Sequence, residues 1–258
     1  MLNDPMRLFD LHGRNVLITG GSRGLGRMMA EGMVRSGASV YVAARKAGEC
    51  HETADALSAY GQCMAIPADL SSMDGISALA RSFEDLNSRL DVLINNAGTV
   101  WVEAFDGFSE SGWDKTFDLN VKAPFFMTQA LTPLLRRGPD ESLSKVINIG
   151  SIDGVVTNRR ETYSYQASKA ALVHLTKRMS IRLIEDGIAV SAIIPGAFAT
   201  DLTMASPDTS LRVKDRIPAG RFGQPEDIVG TAVYLASRAG DYVVGSPLVI
   251  DGGLSHVL

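Results

Sequence analysis

The sequence predicts an α/β fold: one domain whose doubly wound parallel sheet carries helices on both faces. Three observations point to it. Short apolar runs alternate with helix-length segments along the whole chain. The runs are continuously apolar, as strands covered on both faces are. The first of them stops at a glycine-rich turn, Gly20-Gly21-Ser22-Arg23-Gly24-Leu25-Gly26, that opens a helical pattern.

In chain order, residues 1–10 read as an N-terminal extension and 11–258 as the domain. Val16, Leu17 and Ile18 form the first strand. Leu25, Met28, Met29, Gly32 and Met33 have helical spacing, with Gly37 placed as the C-cap. The strand Ser39–Ala44 follows. Further strands are expected at Gln62–Ile66, Val92–Asn95, Val146–Ile149, Ala189–Ile194 and Leu248–Ile250. Between them, helices are expected over Glu49–Ala59, Ser72–Asn87, Ser109–Leu135, Tyr163–Glu185 and Pro225–Ala236. Such alternation implies right-handed crossovers and a parallel sheet. Gly138–Ser144 and Thr200–Ile217 read as loops, the second long enough to serve as a lid.

Composition narrows the function classes. A net charge of −4 and a pI near 5.6 argue against a nucleic-acid or anionic-membrane partner, because both need a basic face. No apolar run has the length of a membrane span, and Asp4, Pro5 and Asp10 interrupt what a signal peptide would need; a cytoplasmic location is expected. Cys50 and Cys63 have neither zinc nor redox spacing, so no metal is expected and both thiols read as structural or incidental.

In such sheets the ligand lies beyond the carboxyl ends of the strands, where strand order reverses. Those ends carry Gly20 and Gly21, Ala44 and Arg45, Asp69 and Leu70, Asn95 to Gly98, Gly150 and Ser151, and Pro195 and Gly196. Gly20, Gly24 and Gly26 allow a sharp turn, close approach of a pyrophosphate and tight packing of the helix whose N–H groups face it. The second strand ends in Arg45 where an NAD site carries an acid. With Ser22 and Arg23, that arginine suits the 2′-phosphate of NADP; the alternative is that both arginines are solvated charges.

Tyr165 and Lys169 lie four apart, one turn along a helix face. An ammonium about 4 Å from a phenol favours phenolate by up to ~4 kcal/mol at an effective dielectric of ~20, so the pair suits proton transfer near neutrality. Tyr163 lacks such a partner and reads as a packing or substrate-side residue. Ser151, at the end of the fifth run, could hydrogen-bond a carbonyl oxygen that Tyr165 protonates, or be an ordinary turn serine.

Together these residues resemble the short-chain dehydrogenase/reductase family. Thr19 to Gly26 is similar to its glycine motif, Asn95-Asn96-Ala97-Gly98 to its fourth-strand motif, and Tyr165-Gln166-Ala167-Ser168-Lys169 to its active-site pair. The resemblance runs from about Leu11 to Gly253. It implies a Rossmann fold with seven strands and an NADP(H) cofactor held by Gly20, Ser22, Arg23, Gly24, Leu25, Gly26, Arg45, Asn96, Ala97, Gly98, Tyr165, Lys169, Pro195, Gly196 and Thr200. It also implies Asp69 and Leu70 beside the adenine, and Asn120 holding a water linked to Lys169, with Asn120, Ser151, Tyr165 and Lys169 as the catalytic set.

Pro218 to Asp227 and Ile250-Asp251-Gly252-Gly253 resemble the 3-oxoacyl-[acyl-carrier-protein] reductase branch, and Leu57 to Gly61 with Ala65 to Ser72 resemble its members associated with rhamnolipid synthesis. An NADPH-dependent carbonyl reductase acting on a ketone or acyl thioester is therefore expected, with sugar or polyol oxidation as the alternative and a non-catalytic NADP-binding scaffold as a third. Asp153 places a carboxyl where oxoacyl reductases more often carry an apolar residue. The family also implies a homotetramer with contacts through Tyr163–Glu185 and the last strand. An acyl carrier protein would need a basic rim, for which Arg136, Arg137, Arg159, Arg160 and Arg182 are candidates, or else solvated charges.

Overall fold

A computed structural model describes residues 4–200 and 214–257. Of the lid expected over Thr200–Ile217, residues 201–213 lie outside them, as does Leu258. Seven strands form one sheet: β1 (Asn15–Thr19), β2 (Ser39–Ala44), β3 (Cys63–Pro67), β4 (Val92–Asn95), β5 (Ser144–Ile149), β6 (Ile188–Pro195) and β7 (Pro247–Ile250). All pairs are parallel, in the order β3-β2-β1-β4-β5-β6-β7, so the order reverses between β1 and β4.

Side-chain alternation in β1 explains the two helix layers. Val16 and Ile18 point to one face, where α1 (Gly24–Arg35), α2 (Ala47–Leu57) and the helix Pro225–Ala236 cover them with Met29, Met33, Cys50, Leu57 and Ile228. Leu17 points to the other, under α3 (Met73–Glu84), α5 (Ala123–Leu135) and α6 (Tyr163–Leu183), which contribute Phe83, Met127, Leu131 and Met179. Pro225–Ala236, here α7, starts on a capping box between Gln224 and Asp227. Both cysteines are free and buried, and burial raises their thiols, Cys63 to about 11, which suits inert core residues.

One expected helix is broken. The segment Ser109–Leu135 consists of α4 (Glu110–Phe117), a π-turn over Asp118–Lys122 and α5. Pro124 has no N–H to give the carbonyl of Asn120 four residues earlier, so the α-helical ladder fails there; instead the N–H of Ala123 bonds the carbonyl of Asp118. Asn120 sits inside that turn, 1% exposed.

Candidate active site

The reversal point between β1 and β4 is built from backbone and short polar side chains. Asn96 Nδ2 donates to the carbonyl oxygens of Thr19 and Gly20, both at 3.0 Å, while Thr19 Oγ1 accepts from the N–H of Asn96 at 3.0 Å and of Ala97 at 3.1 Å. Gly20 and Gly24 have φ of 65° and 51°, which only glycine adopts without strain. A β-carbon on Gly26 would stand 2.2 Å from the Gly20 carbonyl oxygen, so no larger residue fits this turn. Arg23 caps α1 without a side-chain hydrogen bond, leaving the first N–H groups of the helix available to an anion. Thr200 reaches over the same turn, its methyl 3.8 Å from where a Gly24 β-carbon would stand. This cradle fits a dinucleotide pyrophosphate.

The remaining expected cofactor residues surround it. Ser22 is nearly buried and its carbonyl accepts from Thr53 Oγ1 at 3.0 Å, locking α2 to the glycine turn. Arg45 stands exposed just past β2. Asp69 accepts from the N–H of Ser71 at 3.0 Å and sets Leu70 into the core. Pro195 ends β6, and the N–H of Gly196 bonds Ile250 at 3.1 Å.

Ser151 follows β5 and caps a 3-10 turn over Ile152–Gly154, its Oγ accepting from the N–H of Asp153 at 3.1 Å. Gly154 lies so close to α6 that a β-carbon would stand 2.6 Å from the Lys169 carbonyl carbon. This contact brings Ser151 alongside Tyr165, where its hydroxyl favours the ionised phenol. Lys169 Nζ donates to the Ile149 carbonyl at 2.7 Å and lies 5.8 Å from the centroid of the Tyr165 ring. Burial lowers Lys169 to about 8 and raises Tyr165 above its ordinary value, the Ser151 hydroxyl pulling the other way. The expected phenolate-favouring effect of Lys169 is thus outweighed here. The ammonium turns to a backbone oxygen, and burial disfavours the charged form of both groups.

Asn120 joins this cluster through its side chain. Its Oδ1 accepts from the N–H of Thr99 at 2.8 Å, and its Nδ2 donates to the Thr99 carbonyl at 2.9 Å and to Ser168 Oγ at 3.0 Å. Ser168 in turn donates to the carbonyl of Tyr165 at 2.8 Å. Asn120 Oδ1 and Lys169 Nζ flank Gly98, 3.1 and 3.6 Å from its β-carbon position. Thr19 and Ser168 escaped the sequence reading as working residues, although both stood inside the quoted motifs.

Asp153 lies beside the pair. Its carboxylate accepts from Asn158 Nδ2 at 2.9 Å and heads a groove lined by Val156, Thr157, Gln166 and Ala167. Burial raises its pKa against the opposing effects of Arg160 and Asn158. Tyr163 packs edge-on to Phe105 and Phe108 at 5.4 and 5.8 Å between ring centroids.

The basic-rim candidates separate. Arg137 is no rim residue: its side chain is 2% exposed, paired with Asp91 at 3.1 Å and bonded to the carbonyls of Leu134, Leu135 and Leu90. It sits where α5 ends and β4 begins, at the amino end of the strands and away from the crevice, because a guanidinium satisfies the orphan carbonyls of a helix end. Arg136 pairs with Asp186 at the same end. Arg159 and Arg160 are exposed beside the site, and Arg182 is exposed but paired with Asp186 at 3.1 Å.

The model of short chain dehydrogenases matches residues 14–210. The chain is 45% identical to the rhamnolipids biosynthesis 3-oxoacyl-[acyl-carrier-protein] reductase of Pseudomonas aeruginosa, over 95% of this chain and 97% of that protein. It is 37% identical to the 2-dehydro-3-deoxy-D-gluconate 5-dehydrogenase of Dickeya dadantii, over 96% and 98%. Among solved structures, the Pseudomonas aeruginosa RhlG/NADP active-site complex superposes with a TM-score of 0.93 at 44% identity, covering 96% of this chain and 99% of that one.

Proposed function

The chain belongs to the short-chain dehydrogenase family and is an NADP-dependent oxidoreductase acting on CH–OH and C=O groups; from that premise we propose that it reduces a 3-oxoacyl thioester to the 3-hydroxy product. The gathering of Tyr165, Lys169 and Ser151, with Lys169 Nζ 5.8 Å from the Tyr165 ring centroid and the turn after Ser151 packed on α6 through Gly154, carries the chemistry. The 45% identity to a 3-oxoacyl reductase supports the choice of substrate.

In this reading the phenol of Tyr165 gives its proton to the substrate oxygen, and Ser151 holds that oxygen in line. Lys169, its ammonium 5.8 Å from the centre of the Tyr165 ring, would favour the deprotonated phenol after transfer, against the burial that opposes it. Asn120 positions α6 through Ser168. When bound, NADPH would supply the hydride that the carbonyl carbon accepts. The glycine turn with Ser22, Arg23 and Leu25 would take the pyrophosphate end, Arg45 the 2′-phosphate, and Asp69 and Leu70 the adenine. Asn96, Ala97, Gly98, Pro195, Gly196 and Thr200 would hold the nicotinamide half.

A carrier-bound substrate would meet Arg160, beside the crevice, and Arg182. The test compares a carrier-bound 3-oxoacyl substrate with its coenzyme A analogue in wild type, Arg160→Glu and Arg182→Glu. Loss of kcat/KM confined to the carrier-bound form supports docking, and equal effects reject it. A homotetramer is proposed too, with α6 as one contact. Ile181 is 68% exposed on that helix, and an apolar groove lined by Phe125, Leu175 and Met179 runs between α5 and α6. Light scattering at micromolar concentration should give four times the 27.6 kDa chain mass.

Asp153 favours a second reading. A carboxylate beside Tyr165 suits a substrate that offers hydroxyl donors next to its ketone, as a sugar acid does. Asp153→Leu should then lower kcat/KM for a polyhydroxylated ketone and spare a 3-oxoacyl thioester.

No helix among the described residues is long and apolar enough to cross a membrane.

A further inference from the structure

Past the end of β2, the charges are arranged in a way that the binding of NADP alone does not require. Arg45 and Lys46 are both exposed, and Lys46 is the N-cap of α2. One turn on, Glu49 pairs with Lys46, Oε1 to Nζ at 2.5 Å. Its carboxyl is held below the ordinary value by that hydrogen bond first, against the opposing effect of burial, and then by the charges of Lys46 and Arg23. Thr53, four residues further along α2, is bonded to the Ser22 carbonyl, so the first turn of α2 and the glycine turn form one unit. Lys46 and Glu49 therefore form a closed pair directly after Arg45, which makes no ion pair among the described residues.

We propose that Glu49 is a specificity-determining residue that competes with the cofactor's 2′-phosphate for Lys46. A phosphate arriving at Arg45 would find the neighbouring ammonium already paired with a carboxylate. To use it the phosphate must draw it from Glu49 and then lie close to a like charge. The 2′-hydroxyl of NAD carries no such penalty. Glu49 thus narrows the margin by which NADP is preferred, without touching the nicotinamide half or the catalytic cluster. The inference rests on the proposed 2′-phosphate site at Arg45.

The test is a binding measurement that needs no turnover. Affinities of wild type, Glu49→Gln and Arg45→Asp for NADPH and NADH are read by nicotinamide fluorescence. Those for adenosine 2′,5′-bisphosphate and AMP are read by calorimetry, at low salt and at high salt. Glu49→Gln should tighten NADPH and the bisphosphate about three- to tenfold at low salt and less at high salt, as expected for exposed, screened charges. NADH and AMP should be unchanged. Equal effects on both ligand pairs, no effect on either, or weaker NADH binding would overturn the inference; the last would mean that Glu49 holds the 2′-hydroxyl instead. Arg45→Asp separates the two readings. If it leaves the bisphosphate bound as in wild type, the 2′-phosphate lies elsewhere and both ideas fall. If it weakens the bisphosphate while Glu49→Gln changes nothing, only the role of Glu49 falls.

Discussion

The ammonium of Lys169 donates to the carbonyl oxygen of Ile149 at 2.7 Å, inside the protein, and its burial there makes the stability of the fold depend on pH. Lys169 titrates near 8 when folded and at its ordinary 10.5 when unfolded. Between those values the unfolded chain holds a proton that the folded one has released, so stability rises with pH, by up to about 3 kcal/mol. As pH falls through 8 that stabilisation is lost. Cys50, Cys63 and Tyr165, all raised by burial, act in the opposite sense, the thiols as unfolded cysteine begins to titrate near 9 and the phenol nearer 10. Urea unfolding of wild type from pH 7.5 to 8.5, below those titrations, should show the rise. Lys169→Met should flatten most of it, leaving a smaller slope from Lys145, also lowered by burial.

Tyr165→Phe should remove turnover, by two to four orders of magnitude, and leave NADPH affinity close to wild type. The substitution deletes one hydroxyl from a ring otherwise kept in place. Stopped-flow assays and fluorescence titration measure the two properties separately, and near-normal reduction would remove Tyr165 from its role.

Arg45→Asp should weaken NADPH tenfold or more and improve NADH, because an acid at the end of β2 suits a ribose hydroxyl and repels a phosphate. Tighter NADH than NADPH binding in the wild type would place the side chain elsewhere.

Arg137→Ala should cost about 1–3 kcal/mol of stability, since it removes the guanidinium that serves the buried Leu90 carbonyl and one of the cations around Asp91. Arg89, 2.9 Å from the same carboxylate, would hold part of that loss down. The melting temperature should fall while kcat/KM at low temperature stays near wild type.

The fold was legible because its signals are local and repeated. All seven buried runs appear as strands within a few residues, and the glycine turn, the Tyr165–Lys169 spacing and Ser151 named the places where the strand ends meet. What stayed hidden depends on contacts across the chain. The break at Asn120 needed the single missing N–H of Pro124 to be weighed against an otherwise unbroken helical pattern. Arg137 looked like half of a surface pair because nothing in its neighbours announces Asp91, 46 residues away. The field at Tyr165 could not be read from spacing, because the Ile149 carbonyl that holds Lys169 and the burial of both groups come from packing.

The π-turn at Asp118–Lys122 also sets where this chain can tolerate a change of length. Such a turn is in effect one residue wedged into a helix, so deleting a residue there would not merely trim it. Each residue advances a helix by about 100°, and α4 would rotate by that much against α5. Trp113 and Phe117, now stacked with ring centroids 5.2 Å apart, would swing away from the side they occupy, and the bond from Ser164 to Thr116 would part. The exposed connection over 138–142 could absorb the same deletion with little consequence. Natural or engineered variants of this chain should therefore differ in length across that connection and keep the residue count between Glu110 and Leu135 fixed.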